Sequence, residues 1–161
     1  MRPWREEDAP WVYQACQDPE IQRWLPDLPR PYTHDDAHAF VTDALGLGPY
    51  QFAITEQEDL VGSIGLRLGK HETGHIGYWC APEARGRGTT TRALRRLCRY
   101  ALDELQLERL DLMADVDNRA SQRVAEKVGF QREGVVRSHL RQPDGHRRDS
   151  VFFSLLPGEL R

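Results

Sequence analysis

The sequence is poor in cysteine and has no long apolar run. Its three cysteines, Cys16, Cys80 and Cys98, are an odd number without a Cys-x-x-Cys spacing, so neither a disulfide framework nor a metal site is indicated. No apolar stretch approaches the ~20 residues of a membrane span, and the first six residues lack the apolar core of a signal peptide. We therefore expect a cytoplasmic protein with no membrane partner.

A basic excess is also lacking. The formal net charge is −3, and binding to a phosphate backbone needs clustered positive charge, so we expect no nucleic-acid partner. Hydrophobic residues make up 39% of the chain and charged residues 29%, which is typical of a globular protein. Since no repeat or linker divides the 161 residues, we predict a single domain over 1–161.

The first third of the chain has helical spacing. Helices are predicted over 7–16 and 19–24, and a third is predicted to begin after an N-cap at Thr33. Glycines at 46 and 48 are expected to end this third helix. Its buried face is predicted from the apolar residues Ala37, Phe40, Val41, Ala44 and Leu45.

The remainder of the chain alternates between strands and helices. Three neighbouring strands with short connections predict an antiparallel meander, and Pro143-Asp144-Gly145 predicts a hairpin turn near the end of the chain. The fold class is therefore α/β (α+β), a mixed, mostly antiparallel sheet with helices on both faces. The predicted strands are 51–55, 60–68, 75–80, 110–116, 130–140 and 147–155, and the predicted helices are 88–105 and 119–128.

A glycine-containing loop joins the third strand to the long helix. Its sequence is Arg85-Gly86-Arg87-Gly88-Thr89-Thr90. Glycines let the backbone approach a ligand closely, and the following helix N-terminus favours an anion, so the loop is typical of a phosphate site. A Walker loop is excluded because no lysine follows the glycines, and a Rossmann loop would have Gly or Ala where Thr91 stands.

Several ordered motifs extend the pattern beyond this loop. The chain resembles the GNAT acetyltransferase superfamily, and within it the RimJ/RimL-like branch of ribosomal-protein-alanine N-acetyltransferases. The resemblance implies the GNAT fold and direct attack of an amine on the thioester of acetyl-CoA, with no metal. The motifs that carry it are Gly77-Tyr78-Trp79, Pro82-Glu83, the glycine loop, Asn118-Arg119-Ala120-Ser121, Val128-Gly129-Phe130, Glu133-Gly134 and Arg148-Asp149.

The resemblance also implies a set of contacts to acetyl-CoA. The strand Tyr78, Trp79 and Cys80 is expected to pair with the pantetheine arm, and a backbone N–H there to polarise the thioester carbonyl. Asn118 is expected to contact the same arm, although it also fits a helix cap. The pyrophosphate is expected on the backbone N–H groups of Arg87, Gly88, Thr89 and Thr90, with further contacts from the side chains of Arg85 and Arg87.

The catalytic residues follow less directly from the resemblance. The tyrosine acid of many superfamily members is replaced by Ala125, and Ser121 is the candidate acid and a cofactor contact. The glutamate base of the ribosomal-alanine relatives is replaced by Met113, so Asp115 is the first substitute. Glu72 and His75 are the next candidates, and both also fit an exposed turn or sheet edge.

The acceptor is expected to be an amine, either a protein N-terminus or a small molecule. Trp24 and His75 are the predicted substrate contacts. For Trp24 the reason is the resemblance, which implies an acceptor site built from the region of Trp24 and the proline loop that follows it. The chain departs from the family at Thr90, which replaces Gly or Ala, and at Arg92, which replaces a common Glu. The resemblance also implies an opening strand before Met1-Arg2-Pro3, which is expected to be lost, shortened or outside the given sequence.

Two alternatives remain open at this point. The same fold serves enzymes that use another acyl donor, such as succinyl-CoA, or that modify an antibiotic, polyamine or natural-product amine. A non-catalytic acyl-CoA sensor is the alternative of another class, because Ala125 replaces the usual acid. Two exposed strands near the C-terminus favour a homodimer.

Overall fold

The computed structural model describes residues 1–43 and 45–161 and confirms the predicted fold class. Seven strands follow the order β1-β2-β3-β4-β5-β7-β6. The sheet is mixed, as expected: β1/β2, β2/β3, β5/β7 and β6/β7 are antiparallel, whereas β4/β5 is parallel. The strands are β1 Arg2–Pro3, β2 Gln51–Glu56, β3 Asp59–Leu68, β4 Thr73–Cys80, β5 Arg109–Asp115, β6 Gln131–Arg141 and β7 Arg147–Leu155.

Side-chain caps mark the N-termini of three helices. Asp18 accepts a hydrogen bond from the Ile21 N–H, and Asn118 accepts one from the Ser121 N–H, so both side chains are N-caps. Thr33 and Asp36 form a reciprocal capping box. The helices are α1 Ala9–Ala15, α2 Pro19–Trp24, α3 His34–Val41, α4 Thr89–Asp103 and α5 Arg119–Val128.

The third helix is shorter than its apolar pattern predicts. It ends at Val41, and Leu45 is 57% exposed, so the prediction that Leu45 belongs to its buried face is wrong. Asp43 takes a positive φ of 55°, and its carboxylate accepts hydrogen bonds from the N–H groups of Leu47 and Gly48. These bonds offer the backbone an alternative to the helix ladder. Ala44, predicted on the same face, lies outside the described residues.

Two other helix boundaries also differ from the prediction. The segment Glu6–Asp8 is a 3-10 turn, and α1 begins only at Ala9. The long helix α4 ends at Asp103 rather than at 105. Gln106 follows with a positive φ of 53°, and its side chain donates hydrogen bonds to the Leu102 and Asp103 carbonyls, which satisfies the end of the helix.

The first compact unit comprises Met1–Gly65 and Tyr78–Thr89. The opening strand is present as two residues: Arg2 pairs with Ala53 and Pro3 with Phe52. The helices α1, α2 and α3 bury a common apolar cluster, against which Trp4, Trp11 and Trp79 pack. The buried members are Ala9, Val12, Cys16, Ile21, Tyr32, Ala37 and Val41.

The second compact unit comprises Leu66–Gly77 and Thr90–Arg161. Its parallel pair aligns His75 with Asp111 and Ile76 with Leu112. Burying each large apolar side chain contributes about 1.5–3 kcal/mol, which makes this core the main stabilising feature of the unit. Its fully buried side chains include Leu94, Leu97, Leu110, Leu112, Val128, Val151, Phe153 and Leu155.

Candidate active site

The glycine loop has the backbone conformation of an anion cradle. Gly86 and Gly88 both have a φ of 77°, which favours glycine because it has no Cβ. A Cβ on Gly86 would meet nothing within 4 Å, so the space beside this turn is open. The 15-residue helix α4 begins directly afterwards, at Thr89, and its first N–H groups carry a partial positive charge. The backbone therefore fits a pyrophosphate group.

Arg85 of this loop is engaged by carboxylates. Its guanidinium lies 2.5 Å from Asp18 Oδ1 and 2.8 Å from Glu20 Oε2, both at the start of α2. Burial alone raises the pKa of Asp18, but the hydrogen bonds from Arg85 and from the Ile21 N–H outweigh it and lower the pKa. The Asp18 carboxylate thus caps α2 and ties it to the glycine loop.

Glu56 engages the other side chains of the loop. The Thr89 hydroxyl donates a hydrogen bond to Glu56 Oε1, and Arg87 Nη1 lies 3.5 Å from Glu56 Oε2. Thr89 is buried, so its hydroxyl is fixed at the start of α4. Because carboxylates already engage the side chains of Arg85, Arg87 and Thr89, the backbone N–H groups are the loop's main donors to an anion.

A cavity of about 690 Å³ adjoins Arg87. Five of its lining residues are acidic and two are basic, and the Trp11 indole also lines it. The net negative charge of its lining therefore disfavours an anion in the cavity itself. The lining residues are Arg2, Glu7, Asp8, Trp11, Glu58, Asp59, Leu60, Val61, Glu83 and Arg87.

The end of β4 is held by close packing. The Trp79 indole stacks on Trp11, with ring centroids 5.7 Å apart and an interplanar angle of 17°. A Cβ on Gly62 would lie 2.5 Å from the Trp79 carbonyl oxygen, so the backbones of β3 and β4 approach each other closely there. The Cys80 thiol donates a weak hydrogen bond to the Ala81 carbonyl at 3.6 Å. Tyr78, Trp79 and Cys80 are all half-buried.

Trp24 is the last residue of α2 and is half-buried. The guanidinium carbon of Arg23 lies 4.6 Å from the centroid of its ring, a cation–π contact. The predicted substrate contact of Trp24 stays a prediction.

A second group of predicted residues lies at the carboxyl end of β5, in the other unit. Asp115 is 6% exposed, and Arg148 Nε lies 2.9 Å from Asp115 Oδ2. The other carboxylate oxygen of Asp115 accepts a hydrogen bond from the Asp117 N–H at 2.8 Å. Arg148 Nη2 also contacts Asp117 at 2.8 Å. Asp115 therefore has a structural role that the sequence did not reveal.

The helix α5 begins beside Asp115. Asn118 Oδ1 accepts a hydrogen bond from the Ser121 N–H at 3.0 Å, so its capping role is present in the structure. The buried amide of Gln122 donates to the carbonyls of Asp115 and Val116, which fixes the helix to the end of β5. Ser121 is half-buried, whereas Ala125 is fully buried. An acid on this helix is thus more accessible at Ser121 than at Ala125.

The other two candidate bases, Glu72 and His75, lie at the opposite end of the parallel pair. Glu72 precedes β4 with a φ of 52°, and its carbonyl accepts a hydrogen bond from the Glu108 N–H at 2.8 Å. His75 is exposed on β4, and partial desolvation of its ring lowers its pKa, against the opposing effect of Asp111. His75 pairs with Asp111 of β5, and Asp111 is four residues before Asp115 on that strand.

Several residues around these sites were missed by the sequence reasoning. Asp18, Glu20 and Glu56 are distant in sequence from the loop that they contact, so no local pattern connects them. His139 of β6 was also missed; its Nδ1 lies 2.9 Å from the hydroxyl of Ser150. Among the residues that the structure describes, no group of three or more potential ligands could hold a metal ion. Within the same residues, no helix has the length and apolar character needed to cross a bilayer.

Comparison with known proteins gives the family. The family model described as an acetyltransferase (GNAT) domain matches residues 1–131. The chain therefore belongs to the GNAT acetyltransferase domain family, which confirms the resemblance drawn from the motifs and the class of enzyme, an acyltransferase.

Relatives and solved structures agree with this assignment. The chain is 44% identical over 84 residues to the putative ribosomal N-acetyltransferase YdaF of Bacillus subtilis, a match over 52% of this chain and 45% of that protein. It thus spans about half the length of this relative. It is 26% identical to the spermidine N(1)-acetyltransferase of Escherichia coli K12, over 83% of this chain and 73% of that one. Mycobacterium smegmatis RimJ in complex with CoA-disulfide superposes with a TM-score of 0.82 at 25% identity, covering 98% of this chain and 81% of that one.

Proposed function

We propose that this chain is an acetyl-CoA-dependent N-acetyltransferase that transfers the acetyl group to a primary amine, and that residues 1–161 act as one domain. The observation that carries the proposal is the glycine loop. Two positive-φ glycines, Gly86 and Gly88, lead into a 15-residue helix, and a glycine turn before a helix N-terminus is suited to binding a phosphate group. That the related RimJ structure contains a CoA derivative supports this choice of acyl carrier.

The residues of the chain take the following roles in this proposal. The backbone of Arg87, Gly88, Thr89 and Thr90 binds the pyrophosphate. The Tyr78–Cys80 segment aligns the pantetheine arm, and a backbone N–H there stabilises charge on the thioester oxygen. Asn118 contacts the arm, and Ser121 donates a proton toward the leaving sulfur. Arg85 holds α2 and Trp24 in place rather than binding phosphate.

The acceptor is an amine in both kinds of relative. The names of the relatives refer to ribosomal and to spermidine acetylation, so a protein N-terminus and a polyamine are the acceptors to test first. We favour the protein N-terminus, because the YdaF match has the higher identity of the two, 44% against 26%.

Amine-dependent release of CoA thiol tests the proposal. Acetyl-CoA is mixed with the protein, and a peptide with a free N-terminal alanine or serine, or spermidine, is added while free thiol is measured. We expect thiol release that depends on both the protein and the amine, with acetyl-peptide seen by mass spectrometry. The same peptide with a blocked N-terminus should give none. If acetyl-CoA binds but no amine accelerates thiol release, the chain is a binding protein and the proposal fails.

A further inference from the structure

The hairpin of β6 and β7 anchors one histidine at the end of β5. His139 Nδ1 lies 2.9 Å from the hydroxyl of Ser150, which is fully buried. Ser150 is the strand partner of Asp115, the last residue of β5. The helix α5, with Asn118 and Ser121 in its first turn, begins four residues later. His139 is thus held in the same part of the fold as these two predicted catalytic-site residues.

An irregularity in β6 sets the position of this histidine. The β6/β7 register shifts between Val136 and Leu140, and Ser138 within this stretch has a φ of 53°. A positive φ is uncommon for a residue with a Cβ, and bulges next to active sites often redirect a side chain.

Three hydrogen bonds stabilise this irregular backbone. The Ser138 N–H donates to Asp149 Oδ1 at 2.8 Å. Arg147 donates to the Ser138 carbonyl at 2.7 Å and to the His139 carbonyl at 3.2 Å. The two partners come from β7, so the hairpin itself holds the bulge in place.

The other candidate bases are less available for proton transfer. A general base needs a lone pair that can reach the acceptor amine. Both carboxylate oxygens of Asp115 are engaged, one by Arg148 and one by the Asp117 N–H. Glu72 lies on a turn before β4, beside the start of β5 rather than its end. His139 is half-buried, and only its Nδ1 is hydrogen-bonded within the part of the chain that the structure describes.

We propose that His139 is the general base of the acetyl transfer. The assignment rests on the proposed function. In the active tautomer, the Nδ1–H group donates to Ser150 Oγ and the Nε2 lone pair is directed to the acceptor. Nε2 takes one proton from the ammonium group, and the neutral amine attacks the thioester carbonyl. The C–N bond forms and the C–S bond breaks. The leaving thiolate takes the hydroxyl proton of Ser121. The newly formed, still protonated amide nitrogen then returns a proton to Ser121, and His139 passes its own proton to solvent.

Several titratable and charged groups lie on the strands that follow β6 in the order of the sheet. A positive charge on His139 contributes to lowering the pKa of His75 on β4. Arg147, Arg148 and Asp149 come from β7, and Asp115 comes from β5. These groups remain in place when His139 alone is replaced, so the effect of removing the imidazole can be isolated.

The test uses the variant His139→Asn in the full chain. The asparagine amide can still donate to Ser150, but it has no equivalent of Nε2. We expect kcat/KM to fall about 10²- to 10⁴-fold, the range for loss of a general base, with the dissociation constant for acetyl-CoA changed less than threefold. When kcat/KM is plotted against pH, a base that is an imidazole gives a fall in rate on the acidic side of neutral pH. This fall should be absent in His139→Asn. Added imidazole should restore part of the activity of His139→Ala.

His146→Asn is the matched control, because His146 is exposed at the turn of the same hairpin. It should keep kcat/KM within twofold. Ser150→Ala should lower kcat more than it changes KM while keeping this fall in rate at acidic pH, because it frees the imidazole without removing it. The proposal is overturned if His139→Asn keeps the wild-type pH profile and rate, or if it loses acetyl-CoA binding along with activity. Failure of the wild-type chain to acetylate any amine would instead overturn the proposed function.

Discussion

Arg148 pairs with Asp115 across β7 and β5, and both side chains are largely shielded from solvent, with 19% and 5% of their side-chain surface exposed. The same guanidinium contacts Asp117, whose side chain is 64% exposed. One arginine thus serves a buried carboxylate and an exposed one. The buried pair with Arg148 favours a structural role for Asp115 over a role as the general base.

We predict that Asp115→Asn mainly destabilises the fold. The substitution removes the buried carboxylate that pairs with Arg148. Breaking a buried pair costs about 3 kcal/mol of unfolding free energy, whereas Asp117→Asn should cost under about 1 kcal/mol. Urea unfolding of both variants measures the difference. At a temperature where both are folded, Asp115→Asn should lose less activity than His139→Asn. A fully folded but inactive Asp115→Asn protein would return Asp115 to the role of base.

Arg85 is predicted to act on α2 rather than on the cofactor. Since Asp18 and Glu20 already engage its guanidinium, Arg85→Ala should change the dissociation constant for acetyl-CoA less than threefold. The exposed part of the pair limits its effect on stability to about 1 kcal/mol. Calorimetric titration gives the affinity, and the double substitution Arg85→Glu with Glu20→Arg should recover part of any lost stability. An affinity loss of tenfold or more in Arg85→Ala would show a direct contact to phosphate.

Gly62 should not tolerate a side chain. An added Cβ would lie 2.5 Å from the Trp79 carbonyl oxygen, so the backbone of β3 or β4 must shift. Gly62→Ala should therefore lower the free energy of unfolding by about 1–3 kcal/mol, the usual cost of overpacking. Gly77→Ala on β4 is the control, because a Cβ there meets nothing within 4 Å. Equal stabilities of the two variants would contradict this packing.

The ion pair between Arg2 and Asp8 makes stability depend on pH. Arg2 donates two hydrogen bonds to the Asp8 carboxylate, at 2.7 and 2.8 Å, and thereby lowers its pKa below the ordinary value. A lowered folded-state pKa contributes stability above the unfolded-state pKa of the carboxyl, and this contribution is lost as the pH falls through the folded value. The stability difference between wild type and Asp8→Asn should thus shrink when urea unfolding is repeated at decreasing pH below about 4. A difference that stays constant would show that the carboxylate charge is not involved.

The local signals in the sequence predicted most of the fold. The bounds predicted for α2 and α5 match the structure to the residue, and the cap expected at Asn118 is present. The apolar pattern beyond Val41 failed at Leu45, because the Asp43 carboxylate binds the following backbone instead.

The candidate site was less predictable. The glycine loop could be recognised because its conformation depends on its own residues. Arg85 and Asp18 are 67 positions apart, so their pairing depends on tertiary structure that no local pattern carries. His139 was overlooked because the bulge at Ser138 is specified by Asp149 and Arg147 on the neighbouring strand.

Calorimetric titration of acetyl-CoA into the wild-type chain and into Gly88→Val measures whether the glycine loop binds the cofactor. Gly88 has a φ of 77°, so valine strains the loop backbone that is proposed to hold the pyrophosphate. Gly158→Val is the control, since Gly158 also has a positive φ, of 90°, but lies near the C-terminus. We predict micromolar binding to wild type and Gly158→Val, and binding weakened at least tenfold in Gly88→Val. No binding of acetyl-CoA to the wild-type chain, or equal binding to all three proteins, would contradict the account.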